Sequence, residues 1–239
     1  MSCILNIETS TSECSVALSM DGEVLFAKAS FDGPSHAALL GVFVEEALSV
    51  LKKKGKKALD AVAVSSGPGS YTGLRIGVSV AKGLCFGFGI PLIGIHTLDI
   101  MAATVNSKGD SQIVSMTDNC LYCAMLDARR MEVYAAIYDA SLKPVRETKA
   151  DIVEVGTYAS YLEKGKVCFF GNGASKCKSV ITSPNAIFIE DIHPLAVNMI
   201  PLSEQAFAAG KFEDTAYFEP FYLKEFQATV AKNKVLLAR

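Results

Sequence analysis

Apolar positions in the first hundred residues change from a strand-like to a helix-like period, and that change predicts the order of elements. Apolar stretches at 3–8 and 14–19, followed by Asp21-Gly22 and a third stretch, predict three antiparallel strands with a two-residue hairpin turn. From 35 to 54 the apolar residues fall four apart, which predicts a helix with a wide apolar stripe. Three lysines and Gly55, suited to a left-handed cap, mark its end.

The following segments alternate between strand and helix. Residues 60–64 predict a buried strand, and the loop SSGPGSYTG leads into a helix from Thr72 to about Phe88, with Thr72 as the predicted cap. Pro91 ends that helix, and 92–95 predict another strand. The segment 77–95 is long enough to span a bilayer, but Lys82, Pro91 and five glycines count against a span. We therefore expect a buried helix followed by a buried strand.

The pattern becomes less regular after Thr97. It predicts strands at 113–115, 121–127, 133–138, 167–170 and 186–189, and helices near 155–162 and 195–209. No Pro/Ser-rich linker separates independent domains. We therefore expect two subdomains, at 1–100 and 101–239, with the last helix and tail returning toward the N-terminal half.

Composition narrows the class of protein. The chain has 239 residues, 50% apolar and 20% charged, with a net charge of −2, which is typical of a globular protein without a global field for nucleic acid. Seven cysteines, an odd number without framework spacing, indicate reduced thiols and a cytoplasmic location. No basic segment precedes the first apolar run, so a signal peptide is not expected.

Two polar loops could bind an anion. The glycine-rich loop 67–73 opens a helix, whose free N–H groups favour an anion, although it lacks the complete P-loop and dinucleotide fingerprints. A tight strand-to-helix turn explains it equally well. The turn after the first strand carries a carboxylate and three hydroxyls, which could hold a phosphate or simply satisfy local backbone groups. The predicted weak nucleotide or anion site comprises Glu8, Thr9, Ser10, Thr11, Gly69 and Ser70.

Other motifs carry weaker signals. Cys120 and Cys123 point to opposite faces if their segment is a strand, so no joint metal site is expected. The three histidines, at 36, 96 and 193, lack metal-ligand spacing and are expected to be capping or surface groups. The lysine run at 52–57 could contact RNA, but helix termination explains most of it.

Small residues recur along the second predicted helix. Gly73, Gly77 and Ala81 fall four apart, although each interior glycine costs about 1 kcal/mol relative to alanine. A ridge of small residues allows close approach by another helix, in this chain or in a partner.

With these segments assembled, the sequence resembles the TsaB family, the dimerization subunit of the bacterial complex that makes threonylcarbamoyladenosine next to the anticodon of tRNA. The resembling blocks span the chain: ILNIETSTSECSVAL (4–18), DAVAVSSGPGSYTGLRIGVSVAKGL (60–84), PLIGIHTLD (91–99), LDARRMEVYAA (126–136) and EPFYLK (219–224). The stretch GPGSYTGLRIG is the most specific. Two departures are Glu8, where many members have Asp, and Met131, where Gly is usual.

The resemblance implies an α/β fold of the actin-like ATPase (ASKHA, ribonuclease H-like) type, with two subdomains of mixed sheets flanked by helices. It also implies a chain without catalytic residues or metal. Thr97 and Met101 stand where the paralogous transferase TsaD has its two metal-binding histidines. A hydroxyl and a thioether are poor replacements for imidazole ligands.

The resemblance further implies pairing with a TsaD-like catalytic subunit through the two N-terminal helices. A TsaE-like ATPase would join them in a ternary complex, and the isolated chain could form a homodimer. The chain would bind tRNA only as part of the complex. ATP or ADP could bind at the assembled interface. No membrane is involved. The expected partner surface comprises Leu39, Phe43, Gly73, Arg75, Ile76, Gly77, Val80, Ala81 and Leu84. Alternatives are a weak ATPase at the polar loops, a peptidase, for which no nucleophile or metal pair is present, and a direct tRNA-binding module.

Overall fold

Two five-stranded sheets organise the residues described by this computed structural model, which are 2–33, 35–55, 58–107 and 120–224. The first sheet has the order β3-β2-β1-β4-β5, antiparallel from β3 to β1 and parallel from β1 to β5. Its strands are β1 Cys3–Glu8, β2 Cys14–Met20, β3 Glu23–Ser30, β4 Ala61–Gly67 and β5 Leu92–His96. The predicted hairpin is confirmed: Asp21 and Gly22 have φ of 49° and 84°, as its two-residue turn requires.

Two long helices cover one face of this sheet, α1 His36–Lys53 and α2 Tyr71–Phe88. Gly55, with φ of 77°, follows α1 as predicted. The predicted cap of α2 is wrong: Ser70 is the cap, its hydroxyl accepting from the Gly73 N–H at 3.3 Å, and Thr72 lies inside the helix. The segment 77–95 forms the end of α2 and β5, and no helix among the described residues is long and apolar enough to cross a membrane.

The second sheet repeats the topology of the first. Its order is β10-β9-β6-β7-β8, with β6, β7 and β8 antiparallel and β6, β9 and β10 parallel. The strands are β6 Leu121–Asp127, β7 Glu132–Tyr138, β8 Pro144–Ile152, β9 Val167–Phe170 and β10 Ala186–Ile189. This duplicated order is the actin-like architecture that the resemblance implies. Sequence analysis missed β8, and the strand expected at 113–115 lies outside the described residues.

The helices of the second half are short. Between β8 and β9 lies α4 Ala159–Leu162, where a helix was expected over 155–162, and a 3₁₀ turn at Ser175–Ser179 links β9 to β10. The helix expected at 195–209 is a 3₁₀ turn, Ala196–Met199, followed by α5 Ile200–Ala208. An unpredicted helix, α3 Thr97–Ser107, follows β5, and the expected division near residue 100 falls inside it.

Elements from both halves bury the other face of the first sheet. Ile4, Ile93 and Ile100 form one apolar cluster with Met199 and Ile200. Beyond α5 the chain runs along the edge of β5: the Glu213 N–H donates to the Leu92 carbonyl at 2.9 Å, and the Phe221 N–H donates to the Ser66 carbonyl at 2.6 Å.

Candidate functional site

The two polar loops singled out from the sequence meet at the carboxyl ends of β1 and β4. The Ser70 N–H donates to the Ser10 carbonyl at 2.6 Å, and the Thr9 hydroxyl donates to the Gly73 carbonyl at 2.8 Å. A Cβ at Gly69 would lie 2.3 Å from the Ser10 carbonyl oxygen, and one at Gly73 would lie 2.1 Å from that of Thr9. Glycine is therefore required at both positions, because the loops are pressed together.

This contact closes the expected anion site within the chain. Glu8 and Thr9 are fully buried, and Ser10 and Thr11 are nearly so. The Ser70 N–H at the start of α2 already donates to a carbonyl. The structure brings these six residues together, and their role as a weak nucleotide or anion site stays a prediction.

Glu8 lies at the centre of this closed region. One of its carboxyl oxygens accepts from the Ser10 N–H at 2.5 Å, and the other is buried without a hydrogen-bond partner. Burial raises the pKa of Glu8 to about 7, although the neighbouring polar groups of Ser10 and Ser65 oppose the rise. Near neutral pH both the protonated and the ionised form of this carboxyl group are therefore populated.

Thr97 and Met101, at the two positions of the paralogue's metal ligands, are both fully buried. The Thr97 hydroxyl oxygen has no hydrogen-bond partner, and the Met101 methyl group lies 2.0 Å from where a Cβ of Gly171 would be, so Met101 packs on the second half of the chain. A lone hydroxyl and a packed thioether do not fit a metal ion that prefers imidazole or carboxylate ligands.

In the part of the chain that the structure describes, no three histidine, cysteine or acidic side chains are arranged to hold a metal ion. Cys120 belongs to one apolar cluster of the second sheet and Cys123 to another, as expected for opposite faces of a strand. His36 corrects the expectation of a surface group, because it is buried with Nε2 3.1 Å from the Glu13 carbonyl oxygen. His193 Nδ1 lies 3.1 Å from a Glu13 carboxylate oxygen, and His96 is exposed.

The ridge of small residues on α2 faces its own chain. A Cβ at Gly77 would lie 2.2 Å from the Thr9 hydroxyl oxygen, and Ala81 is fully buried in the first core. Phe43 of α1 is 4% exposed in the same core. The expectation that Gly73, Gly77, Ala81 and Phe43 form the partner surface is therefore wrong, because the sheet and the Thr9 loop already occupy that side.

The other expected partner residues lie toward the outside of the helices. Leu39, Ile76, Val80 and Leu84 are half-buried, and Arg75 is exposed. The sequence analysis missed Val42, 47% exposed, and Phe86, 89% exposed. Their position off the buried apolar stripe of each helix was the available signal. We call the apolar part of this side the outer helical surface: Leu39, Val42, Ile76, Val80, Leu84 and Phe86.

Comparisons with known proteins find relatives over almost the whole chain. A family model described as TsaD, tRNA N6-adenosine threonylcarbamoyltransferase, matches residues 32–232. The tRNA threonylcarbamoyladenosine biosynthesis protein TsaB of Escherichia coli K12 is 31% identical over 92% of this chain and 94% of its own length. A Pseudomonas aeruginosa structure, described as an uncharacterized protein with similarity to peptidase YEAZ, is 26% identical with a TM-score of 0.78, covering 94% of this chain and all of that one.

The transferases themselves match a smaller part. The tRNA N6-adenosine threonylcarbamoyltransferase of Nitratidesulfovibrio vulgaris DP4 is 39% identical, but over 41% of this chain and 31% of its own length. Pairwise similarity over the full length is therefore to the biosynthesis protein, whereas the pairwise match to this transferase covers part of each chain and the TsaD family model covers residues 32–232.

Proposed function

Since this chain belongs to the TsaB family, we propose that it is a non-catalytic partner subunit of a TsaD-type transferase in the formation of threonylcarbamoyladenosine in tRNA. The full-length similarity to the TsaB protein of Escherichia coli supports a role in the biosynthesis of threonylcarbamoyladenosine in tRNA. The observation that carries the partner role is the outer helical surface, where the apolar side chain of Phe86 is 89% exposed.

The interior argues against a catalytic role. Thr97 and Met101 are packed inside the molecule, and neither side chain offers a metal the ligand it prefers. The polar loops of the first sheet hydrogen-bond to each other instead of opening toward a phosphate. These contacts support a subunit that acts through association and carries out no transfer itself.

The outer helical surface fits a protein partner. Val42 of α1 and Phe86 of α2 expose apolar side chains, and α2 also carries the half-buried Ile76 and Val80. A Cβ at Gly83 or Gly87 would meet nothing within 4 Å, so a partner helix could approach α2 closely there. A TsaD-type subunit of the same fold is the occupant that we propose, and a second copy of this chain would use the same surface in its absence.

Other components follow from the same proposal. Because the loops of this chain are closed, we place any bound ATP or ADP at the assembled interface, where a TsaE-like ATPase would join the complex. A cytoplasmic location is supported by the odd number of cysteines, all seven of which are buried.

Replacing Phe86 with aspartate tests the pairing surface. Phe86→Asp is expected to weaken association with the TsaD-type subunit at least tenfold, because a charge would be buried against an apolar partner. Val155→Asp is the matched control, since Val155 is 88% exposed but lies in the second half. Size-exclusion chromatography with light scattering measures association. Equal association of both variants and the wild type would contradict this surface.

A further inference from the structure

Two consecutive arginines occupy an unfavourable backbone conformation at the turn between β6 and β7. Arg129 and Arg130 have φ of 72° and 49°, in the left-handed region that costs side-chain-bearing residues about 1 kcal/mol each. Both side chains are exposed. Among the described residues, no carboxylate lies within ion-pair distance of either guanidinium group. Residues in such conformations are found preferentially at functional sites.

The acidic residues at the base of this turn are already neutralised. Lys176 forms an ion pair with Asp127, and Lys224 forms one with Glu132. Lys176 also donates to the Glu132 carbonyl at 2.6 Å, which fixes the turn against the segment after β9. The two arginines therefore present positive charge without an ion-pair partner among the described residues, in a chain whose net charge is −2.

The tail connects this turn to the beginning of α2. Two residues before Lys224, the Tyr222 ring packs on Tyr71 with centroids 5.0 Å apart. Arg75 lies with its guanidinium carbon 4.2 Å from the Tyr71 ring centroid and donates to the Tyr222 hydroxyl at 3.3 Å. The negative charge of Glu219 interacts electrostatically with Arg75. We call the whole set the basic-aromatic strip: Tyr71, Arg75, Arg129, Arg130, Tyr222 and Lys224.

The composition of the strip matches RNA better than protein. Guanidinium and ammonium groups bind phosphates, and tyrosine and arginine planes stack on unpaired bases. Lysine and arginine side chains predominate here, whereas the outer helical surface is apolar. The strip also reaches α2, the helix that carries the proposed pairing surface, so an RNA bound to the complex could lie across both subunits.

We propose that the basic-aromatic strip contacts tRNA in the assembled complex. This inference rests on the proposed function in tRNA modification. Arg129 and Arg130 bind backbone phosphates, and the Tyr71–Arg75–Tyr222 stack lies against an unpaired nucleotide. The chain thus contributes to substrate binding as well as to pairing.

Fluorescence anisotropy with a labelled tRNA transcript tests the strip in the complex with the TsaD-type subunit. In Arg129→Asn/Arg130→Asn, asparagine tolerates the left-handed backbone but removes both charges. We expect this complex to bind tRNA about tenfold more weakly, with the salt dependence of log K reduced by one to two units. The matched control, Arg129→Lys/Arg130→Lys, keeps the charges and should bind within about threefold of the wild type.

Three outcomes would overturn the inference. Equal tRNA affinity of the asparagine variant and the wild type would exclude phosphate contacts by the arginines. Equal loss in the lysine variant would indicate a structural role, and loss of subunit association by light scattering would show that the strip is a protein interface. If the wild-type complex modifies tRNA and the asparagine variant binds tRNA normally, only the inference about the basic-aromatic strip is refuted. If tRNA is modified without this chain, the proposed function is refuted.

Discussion

At the scale of single residues, Glu8 shows how this chain differs from a nucleotide-binding protein with an open phosphate loop. Its carboxyl group accepts one hydrogen bond from the adjacent Ser10 backbone and leaves its second oxygen buried without a partner. An ionised carboxylate in such a position is poorly solvated, so burial raises its pKa to about 7. The residue therefore contributes to stability in a way that depends on pH.

Replacing Glu8 with glutamine measures that contribution. Between pH 4.5, the ordinary pKa, and about pH 7 the folded state binds more protons than the unfolded state, so the free energy of unfolding falls as pH rises. The free energy of unfolding of Glu8→Gln relative to wild type should therefore rise by about 3 kcal/mol from pH 4 to pH 8. Urea denaturation at several pH values measures the difference. A difference that is independent of pH would show that Glu8 titrates normally.

At the scale of elements, α2 has two sides with opposite requirements. Gly73 and Gly77 face the Thr9 loop, where even a methyl group would overlap oxygen atoms, whereas Gly83 and Gly87 have open space around them. Both pairs have the four-residue spacing that indicates close helix packing. The spacing alone does not tell which pair contacts the chain's own loop and which could contact a partner.

Substitution by alanine at one glycine on each side of α2 tests which side contacts the chain's own loop. Gly77→Ala should destabilise the protein by about 2 kcal/mol, because its Cβ would displace the buried Thr9 hydroxyl that bonds to the Gly73 carbonyl. Gly83→Ala should stabilise it by up to about 1 kcal/mol through helix propensity. Chemical denaturation of the two variants measures both effects, and shifts of the same sign would contradict the assignment of sides.

The elements that were predicted have a pattern of apolar side chains that follows their burial. The elements that were missed lack such a pattern. Helices α1 and α2 carry apolar stripes, and strands β1, β2 and β4 are almost fully buried, so the apolar pattern predicted them. Edge strand β8 carries the charged residues Arg146, Glu147, Lys149 and Asp151, so it lacks an apolar pattern, and it is held by pairing with β7. The apolar residues of α3 are nearly contiguous, which obscures a helical period.

The candidate site was predictable only in part for a related reason. The motif around Gly69 and the turn at Glu8 identified two loops that meet, because carboxyl ends of parallel strands lie at one edge of a sheet. Whether the loops leave room for a phosphate depends on gaps of a few ångströms between Ser10 and Ser70. Exposure of Phe86 likewise depends on which side of α2 the sheet covers.

At the scale of the whole molecule, the chain is a duplication whose halves have diverged in their helices. In the first half the links to the fourth and fifth strands are helices of 18 residues each, and in the second half the corresponding links contain helices of 4 and 5 residues. The long helices of the first half carry the outer helical surface. The arrangement supports a molecule that acts through what it binds, with a partner on α1 and α2 and tRNA along the basic-aromatic strip.

Reconstituted tRNA modification tests the central claim most directly. A purified TsaD-type subunit is supplied with its substrates and a tRNA transcript, with and without this chain, and threonylcarbamoyladenosine is measured by mass spectrometry of the digested tRNA. The account predicts modification when both proteins are present and none with either protein alone. Full modification by the transferase without this chain, or transfer by this chain alone, would contradict it.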